Sequence, residues 1–518
     1  MKSVPKKSLA GENDMKTLLG IDVGTTGLKA LLIDEKGKVV GAAREEYPLL
    51  TPHPGWAEQK AESWWKATVR AVRRLIDSGA NPSKIAAVGF SGQMHGLVPM
   101  DADDKPLRPA ILWCDQRPIK ECAIIEKKLG KRLIKIASNP ALTGFTAPKI
   151  LWLKRNEPHI FKKMEYILLP KDYVRFQLTA ERAMDISDAA GTLLLNVAKG
   201  EWAKELIQAV GIKNDMLPRI AGSAEVCGKV TQDAARQTGL LKGTPVVAGG
   251  ADNTCAAVGT GIVRAGRVSS SIGSSGVIFA HTDTLLVDPE TRVHSFNHSV
   301  PGCFYLMGVM LSAGLSFRWF RDTFGEKELE QEKTTGTDAY DLLSRAAQKA
   351  PPCCEGLLFL PYLNGERTPH KDPYARGVFF GISPRHGRNH IIRAIMEGIV
   401  FGLKDSLDII ESLGIKIAQV RATGGGGKNA FWRQMQADIF GKPVVTVNHD
   451  EGPAYGAALL AGVGAGIFKT VQDAAEATVR ITSMTEPRHE MTEKYAEAHA
   501  RFRCLYASLK DDFRAIKY

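Results

Sequence analysis

Short apolar runs, each closed by glycine, follow one another from early in the chain. "TLLGIDVG" and "GLKALLID" are two such runs joined through Gly-Thr-Thr-Gly, which predicts a hairpin of two strands, with "GKVVGAAREEYPL" as a third strand. "AESWWKATVRAVRRLIDSG" has helical spacing of its apolar residues and predicts a helix ending at Gly79. "KIAAVGFSG" predicts a buried strand that runs into the loop "QMHG", and "TPVVAGGADNTCAAVGTG" a strand, a Gly-Gly turn and a helix. The second half begins again with strands, "RVSSSIGSSGVIFAHTD" and "CFYLMGVM". "HIIRAIMEGIVFGLKDSLDIIESLG" is an amphipathic helix stopped by Gly414, and "KIAQVRATGGGG" a strand entering a glycine turn. "NAFWRQMQADIFG", "PVVTVN" and "EGPAYGAALLAGVGAG" follow as helix, strand and helix, the last with Pro453 in its first turn. Strands alternating with helices in both halves predict an α/β protein.

A chain of 518 residues exceeds one ordinary core, so two large domains are expected. No low-complexity linker separates them, and the boundary is placed near residue 262, where the strand–turn–strand design restarts. The expected division is residues 1–16 as a disordered extension, 17–262 as the first domain and 263–518 as the second. An apolar fraction of 44% and a charged fraction of 24% are those of a globular protein. The net charge of +12 raises the question of a nucleic-acid partner. However, the basic residues are spread widely, groups such as Lys127, Lys128, Lys131 and Arg132 read as solvated helix faces, and no aromatic residues interleave them, so none is expected. The eight cysteines contain one close pair, Cys353 and Cys354, and no C-x-x-C, which predicts reduced thiols and a cytoplasmic setting. The N-terminal stretch has no apolar h-region and "AYGAALLAGVGAGIF" is too short and glycine-rich to cross a bilayer, so neither a secretory leader nor a membrane span is expected.

Two turns rich in Gly, Ser and Thr, Gly24–Gly27 and Gly273–Gly276, open the two halves. Such turns aim backbone N–H groups at one point and form a nest for an anion, although either alone is also an ordinary hairpin loop. Their recurrence predicts two related domains that grip one phosphate chain. Asp22 lies in an apolar strand beside the first turn, where a carboxylate is costly unless paired or bound to a cation; the alternative is an edge residue facing water. "RATGGGGKNAFW" follows neither the phosphate-loop pattern of nucleotidases nor the dinucleotide-binding fingerprint, but lets a ligand lie against its backbone. Asp252 in "VVAGGADNT" stands where it could take a proton from an attacking hydroxyl, or cap the helix that follows.

The stretches "GIDVGTTGLKALLID", "HPGWAEQ", "SGQMHGLVPMD", "LRPAILWCDQR", "DISDAAGTLLLNV", "PVVAGGADNTCAAVG", "LPYLNGERTPHKDPYARGVFFGI" and "EGPAYGAALLAG" resemble the FGGY family of carbohydrate kinases. The resemblance extends over nearly all of residues 17–510. It implies two actin-like (ribonuclease H-like) domains, with an ATP and sugar cleft between them and the sugar on the N-terminal side. It implies ATP and Mg²⁺ as cofactors, transfer to D-xylulose giving D-xylulose 5-phosphate, and a homodimer. Carried over by position, Asp252 matches the general base. Met94, His95 and Asn253 match sugar contacts, and Trp113 lies with Asp115 and Arg117 in the pentulose-side segment "WCDQR". Gly24, Thr25, Thr26, Gly273, Ser274 and Ser275 match the phosphate turns. Gly425, Gly426 and Asn429 match the adenosine-side loop, and Asp22 the carboxylate near the metal. Glycerol kinases carry an Arg-Glu pair where Met94 and His95 stand, which disfavours them; gluconate kinases share Gln-Met-His and remain a rival, as do ribulose kinases. A sugar or nucleotide sensor without turnover is the rival of a different class. Ala251 stands where glycine is common, and Ser274 and Ser275 where threonine often occurs; neither change removes a needed group.

Overall fold

The computed structural model describes residues 15–516, so most of the extension expected over residues 1–16 lies outside the described residues. The chain forms two compact units. The first runs to Gly261 and adds Asn297–Gly302 and Glu451–Val479; the second comprises Ile262–Phe296, Cys303–Asp450 and the chain from Arg480.

In the first unit β1 (Thr17–Val23), β2 (Gly27–Asp34) and β3 (Val39–Glu46) form an antiparallel meander. β4 (Ile85–Gly92) pairs parallel with the other edge of β1, and β5 (Val226–Lys229), β6 (Pro245–Val247) and the two-residue β7 (Gly250–Ala251) complete the sheet. The order is β5-β6-β4-β1-β2-β3, with β7 on the end of β4. The helix α1 (Ala61–Asp77) covers β2 and β3 with Trp64, Ala67, Ala71, Val72 and Leu75. Further helices of this unit are α2 (Thr146–Asn156), α3 (Pro170–Thr179), α4 (Ile186–Gly191) and α5 (Asp252–Gly259).

The second unit repeats that sheet. β8 (Arg267–Ile272) and β9 (Gly276–Thr282) make the hairpin, β10 (His294–Asn297) and β11 (Phe304–Met310) extend its antiparallel side, and β12 (Gln419–Gly424), β13 (Val444–Val447) and β14 (Ile481–Thr485) form the other side. The order is β10-β11-β9-β8-β12-β13-β14, with β12 parallel to both β8 and β13, and β14 antiparallel to β13. Apart from β10, which has no counterpart, these directions match β5-β6-β4-β1-β2-β3 read outward from the hairpin. The helix α6 (Ala313–Phe324) follows β11. α7 (Arg388–Ser412) buries Ile392, Ile395, Ile399, Leu403 and Ile410 at helical spacing, and α8 (Ala430–Phe440) follows the glycine turn.

One helix departs from the sequence expectation. The "EGPAYG" segment forms α9 (Gly452–Gly464), which the sequence reading gave to the second half but which packs on β1 and β4 of the first unit. Glycines make this contact. A Cβ on Gly20 would lie 1.9 Å from the Ala454 carbonyl oxygen, and one on Gly89 would lie 2.0 Å from that of Ala457. A helix can approach a sheet this closely only where the strands carry no side chain. Among the described residues no helix is long and apolar enough to cross a membrane. The eight cysteines are free thiols.

Candidate active site

The first turn hangs between β1 and β2 and is closed by a bond of 3.0 Å from the Gly24 N–H to the Gly27 carbonyl. Its other carbonyls are taken by side chains. Tyr47 Oη donates to the Gly24 carbonyl at 2.6 Å, and Gln59 Nε2 to that of Thr25 at 2.7 Å. Gln93 Nε2 adds a bond of 3.3 Å to Gly24 and one of 2.9 Å to Gln59 Oε1. With its carbonyls tied back, the turn offers donors to an anion. Thr25, expected in the phosphate turn, is held through its hydroxyl. Its Oγ1 donates to Gln93 Oε1 at 3.2 Å and accepts from Trp113 Nε1 at 2.9 Å, so it braces the turn. The Thr26 side chain is exposed.

Asp22 lies two residues before this turn, opposite Lys29 on β2 and Ser91 on β4. Burial pushes its carboxyl up to about 6, against the Ser91 hydroxyl and the Lys29 ammonium, which act to lower it. Its Oδ1 is buried and has no hydrogen-bond partner.

Asp252 opens α5, after the two residues of β7. Its Oδ1 accepts from the Asn253 N–H at 2.7 Å and from Asn253 Nδ2 at 3.0 Å. It is the first residue of the helix, with Ala251 in the capping position and no side-chain cap, so the capping alternative fails. The carboxyl keeps an opening to solvent yet lies deep among protein atoms. Burial, with the Asp22 charge adding to it, pushes it up to about 7. A carboxyl poised there can hold or release a proton near neutral pH.

Asn253 also links the base to the loop after β4, its Nδ2 lying 3.7 Å from the sulfur of buried Met94. His95 sits at φ 67°, an uncommon conformation for a side chain of its size. Three contacts hold it there. Thr146 Oγ1 and Lys149 Nζ each donate to its carbonyl at 3.0 Å, and its Nδ1 meets the Gly191 carbonyl at 2.6 Å. Because a carbonyl only accepts, Nδ1 carries the hydrogen. Gly191 is a site residue that sequence reasoning missed: a Cβ there would lie 2.9 Å from His95 Nδ1 and 3.0 Å from Met94 Cε. Lys149 was missed as well. It is fully buried in α2, with its ammonium pushed down to about 7 by burial, while the neighbouring Asp115 charge opposes that shift. Asp115 and Arg117 are buried partners at 2.7 Å, and Arg117 lies 3.6 Å over the ring of Trp56, whereas Trp113 is 39% exposed.

The second unit gathers the other predicted residues. The turn after β8 is tied back by a helix: the Gly314 and Leu315 N–H groups at the start of α6 donate to the Gly273 and Ser274 carbonyls at 2.8 and 3.0 Å. Ser274 and Ser275 are exposed. Beside this turn lies a cavity of about 350 Å³ lined by Gly273, Ser274, Gly425, Asn429 and the aromatic rings of Phe317, Tyr340 and Trp432. Its size and its aromatic wall, with Arg318, Asp338, Asp341, Ser344 and Lys428 also around it, suit a nucleoside. Asn429 also caps α8, its Oδ1 accepting from the Trp432 N–H at 3.1 Å. Gly426 does not line this cavity. A Cβ there would lie 2.6 Å from Ile272 Cδ1, so its smallness serves packing against β8.

Comparisons with known proteins agree with this arrangement. The model of the FGGY family of carbohydrate kinases, N-terminal domain, matches residues 17–259, and that of the C-terminal domain matches residues 268–465. The chain is 41% identical over 504 residues to the xylulose kinase of Bacillus subtilis (strain 168), covering 97% of this chain and 99% of that protein. It is 43% identical over 454 residues to the xylulose kinase of Escherichia coli (strain K12), covering 88% and 91%. The ligand-bound xylulose kinase from Lactobacillus acidophilus superposes with a TM-score of 0.90 at 27% identity, covering 97% of this chain and all of that one, 100%. Sheets, turns and matches together place the chain in the FGGY family of carbohydrate kinases, with its actin-like ATPase fold.

Proposed function

We propose that the protein catalyses ATP-dependent phosphorylation of D-xylulose to D-xylulose 5-phosphate, with the first unit binding the sugar and the second the nucleotide. The observation that carries this reading is the linkage Asp252–Asn253–Met94, which joins a carboxyl held near neutrality to the Met-His loop in one unit. The relatives named above are xylulose kinases. In the proposed mechanism the adenosine of ATP occupies the cavity beside Gly425 and Asn429, and the two turns hold its phosphates. His95 and Asn253 hold the ketose, with the exposed Trp113 at the edge of its site.

The terminal hydroxyl of the sugar attacks the γ-phosphorus. A new O–P bond forms, the bond to the bridging β,γ-oxygen breaks, and ADP leaves. The hydroxyl proton passes to the Asp252 carboxylate. The protein forms no covalent bond, so alignment and charge placement supply most of the acceleration. Asp22 fits a Mg²⁺ that accompanies ATP, because its Oδ1 is a buried acidic oxygen without a donor. When bound, the ion would offset negative charge on the phosphates.

A coupled assay of ADP release with D-xylulose, D-gluconate, D-ribulose and L-ribulose tests the reading. D-xylulose is expected to give the highest kcat/KM; a higher value for D-gluconate would overturn the assignment. We further propose a cytoplasmic homodimer, for which light scattering should give twice the chain mass.

A further inference from the structure

A buried ionic cluster, which the reaction as described leaves unused, stands behind Asp252. Lys171 in α3 is fully buried, with its Nζ 2.7 Å from Asp172 Oδ1, 2.7 Å from Asp185 Oδ1 and 3.0 Å from Asp188 Oδ2. Arg175 lies 3.7 Å from Asp172 and donates to the Ala183 carbonyl. Five ionisable groups without exposure are costly, and a cluster of this kind is weak evidence of stability in itself.

Its hydrogen bonds lead to one place. Asp185 Oδ2 accepts from Ser187 Oγ at 2.5 Å, from the Ser187 N–H at 2.9 Å and from Ser223 Oγ at 3.2 Å. Ser187 Oγ, its own proton thus committed, accepts from the Ala251 N–H at 2.9 Å. The Ala251 carbonyl accepts from Thr254 Oγ1 at 2.9 Å, and Thr254 Oγ1 accepts in turn from Ser299 Oγ at 2.7 Å. Both polar groups of the residue before Asp252 are therefore fixed by buried side chains: Ser187, whose orientation goes back through Asp185 to Lys171, and Thr254, held by Ser299.

We infer that Ser187, oriented by the Lys171–Asp185 pair, is a positioning residue for Asp252: it locks the Ala251 peptide and so aims the carboxylate at the sugar hydroxyl. This rests on the reading of Asp252 as the base. Ser187 is fully buried, and its effect runs through one peptide group. Small misalignment of a reacting pair is expensive, so the cost falls on kcat.

The test is a double-mutant cycle on the full chain, read by transfer of labelled phosphate from ATP to D-xylulose. Ser187→Ala is expected to lower kcat about tenfold, with KM for ATP and the melting temperature near those of the parent. In an Asp252→Asn background the same change should lower the residual rate less than twofold, because there is no carboxylate left to aim. Equal losses in both backgrounds, or no loss in either, would overturn the inference. Normal turnover of Asp252→Asn alone would instead remove the base, which separates the two failures. Should Ser187→Ala not fold, Thr254→Val, which removes the bond to the Ala251 carbonyl, is read through the same cycle with the same expectations.

Discussion

The hairpin turn of the first unit and that of the second are built on sheets of like design, yet they are held differently. Around Gly24 and Thr25 the carbonyls are tied back by side chains from distant segments: Tyr47, Gln59 and Gln93. Around Gly273 and Ser274 the same work falls to two backbone N–H groups of α6. The flanking chemistry differs too. Two residues before the first turn stands Asp22; at the equivalent place before Gly273 stands Ser271. The lesson is that a duplicated scaffold fixes where a turn sits, while the surrounding residues decide how its carbonyls are held and which chemistry stands beside it. Carboxyl chemistry gathers in the first unit and the aromatic cavity in the second.

The sharpest way to break this division is Asp252→Asn. It should lower kcat by roughly 10² to 10⁴ while leaving ATP affinity, measured by calorimetry, close to that of the parent. Parallel losses of both would mean that the two functions are not separated. Next in size, Gly314→Ala places a methyl group where a Cβ meets the Gly273 carbonyl oxygen at 2.2 Å. It should raise KM for ATP about tenfold and leave KM for sugar nearly unchanged. Lys149→Met removes a donor from the His95 carbonyl and should do the reverse, raising KM for D-xylulose several-fold with little effect on ATP.

The pH dependence sharpens the comparison further. With Asp252 at about 7, kcat/KM should fall as pH drops below neutrality, since the base must be unprotonated. Asp22→Asn removes a negative neighbour, makes Asp252 easier to ionise and should move that limb to lower pH. Stability carries the opposite sign to activity. A carboxyl whose folded value lies above its ordinary one contributes stability at low pH that is lost as pH rises through about 7. Asp252→Asn should therefore melt a few degrees above the parent at pH 8, and the gap should shrink toward pH 5. This is the smallest of the expected effects.

Much of the scaffold was legible from the chain. The recurring strand–turn–strand pattern located both hairpins, and Asp252, Asn253, Met94 and His95 come together in one unit as their motifs implied. The supports were not legible, for physical reasons. Lys149 in "TAPKILW" and Lys171 in "LLPKDY" are single cations among apolar neighbours, and what they bind is set by segments far along the chain. Gly191 and Gly314 matter through atoms that a Cβ would strike, which no local pattern encodes. The bracing role of Thr25 was not legible either, because its hydroxyl is held by Trp113 and Gln93, residues some seventy to ninety positions away. Tertiary contact, more than local propensity, decides such cases.

The seating of α9 against Gly20 and Gly89 bears on the order in which the molecule can be completed. The strands that receive this helix, Thr17–Val23 and Ile85–Gly92, are translated hundreds of residues before their wall, which begins only at Gly452. Until then one face of that sheet has apolar strands and no cover, a nascent state in need of protection. The first unit to be translated is thus among the last to be finished.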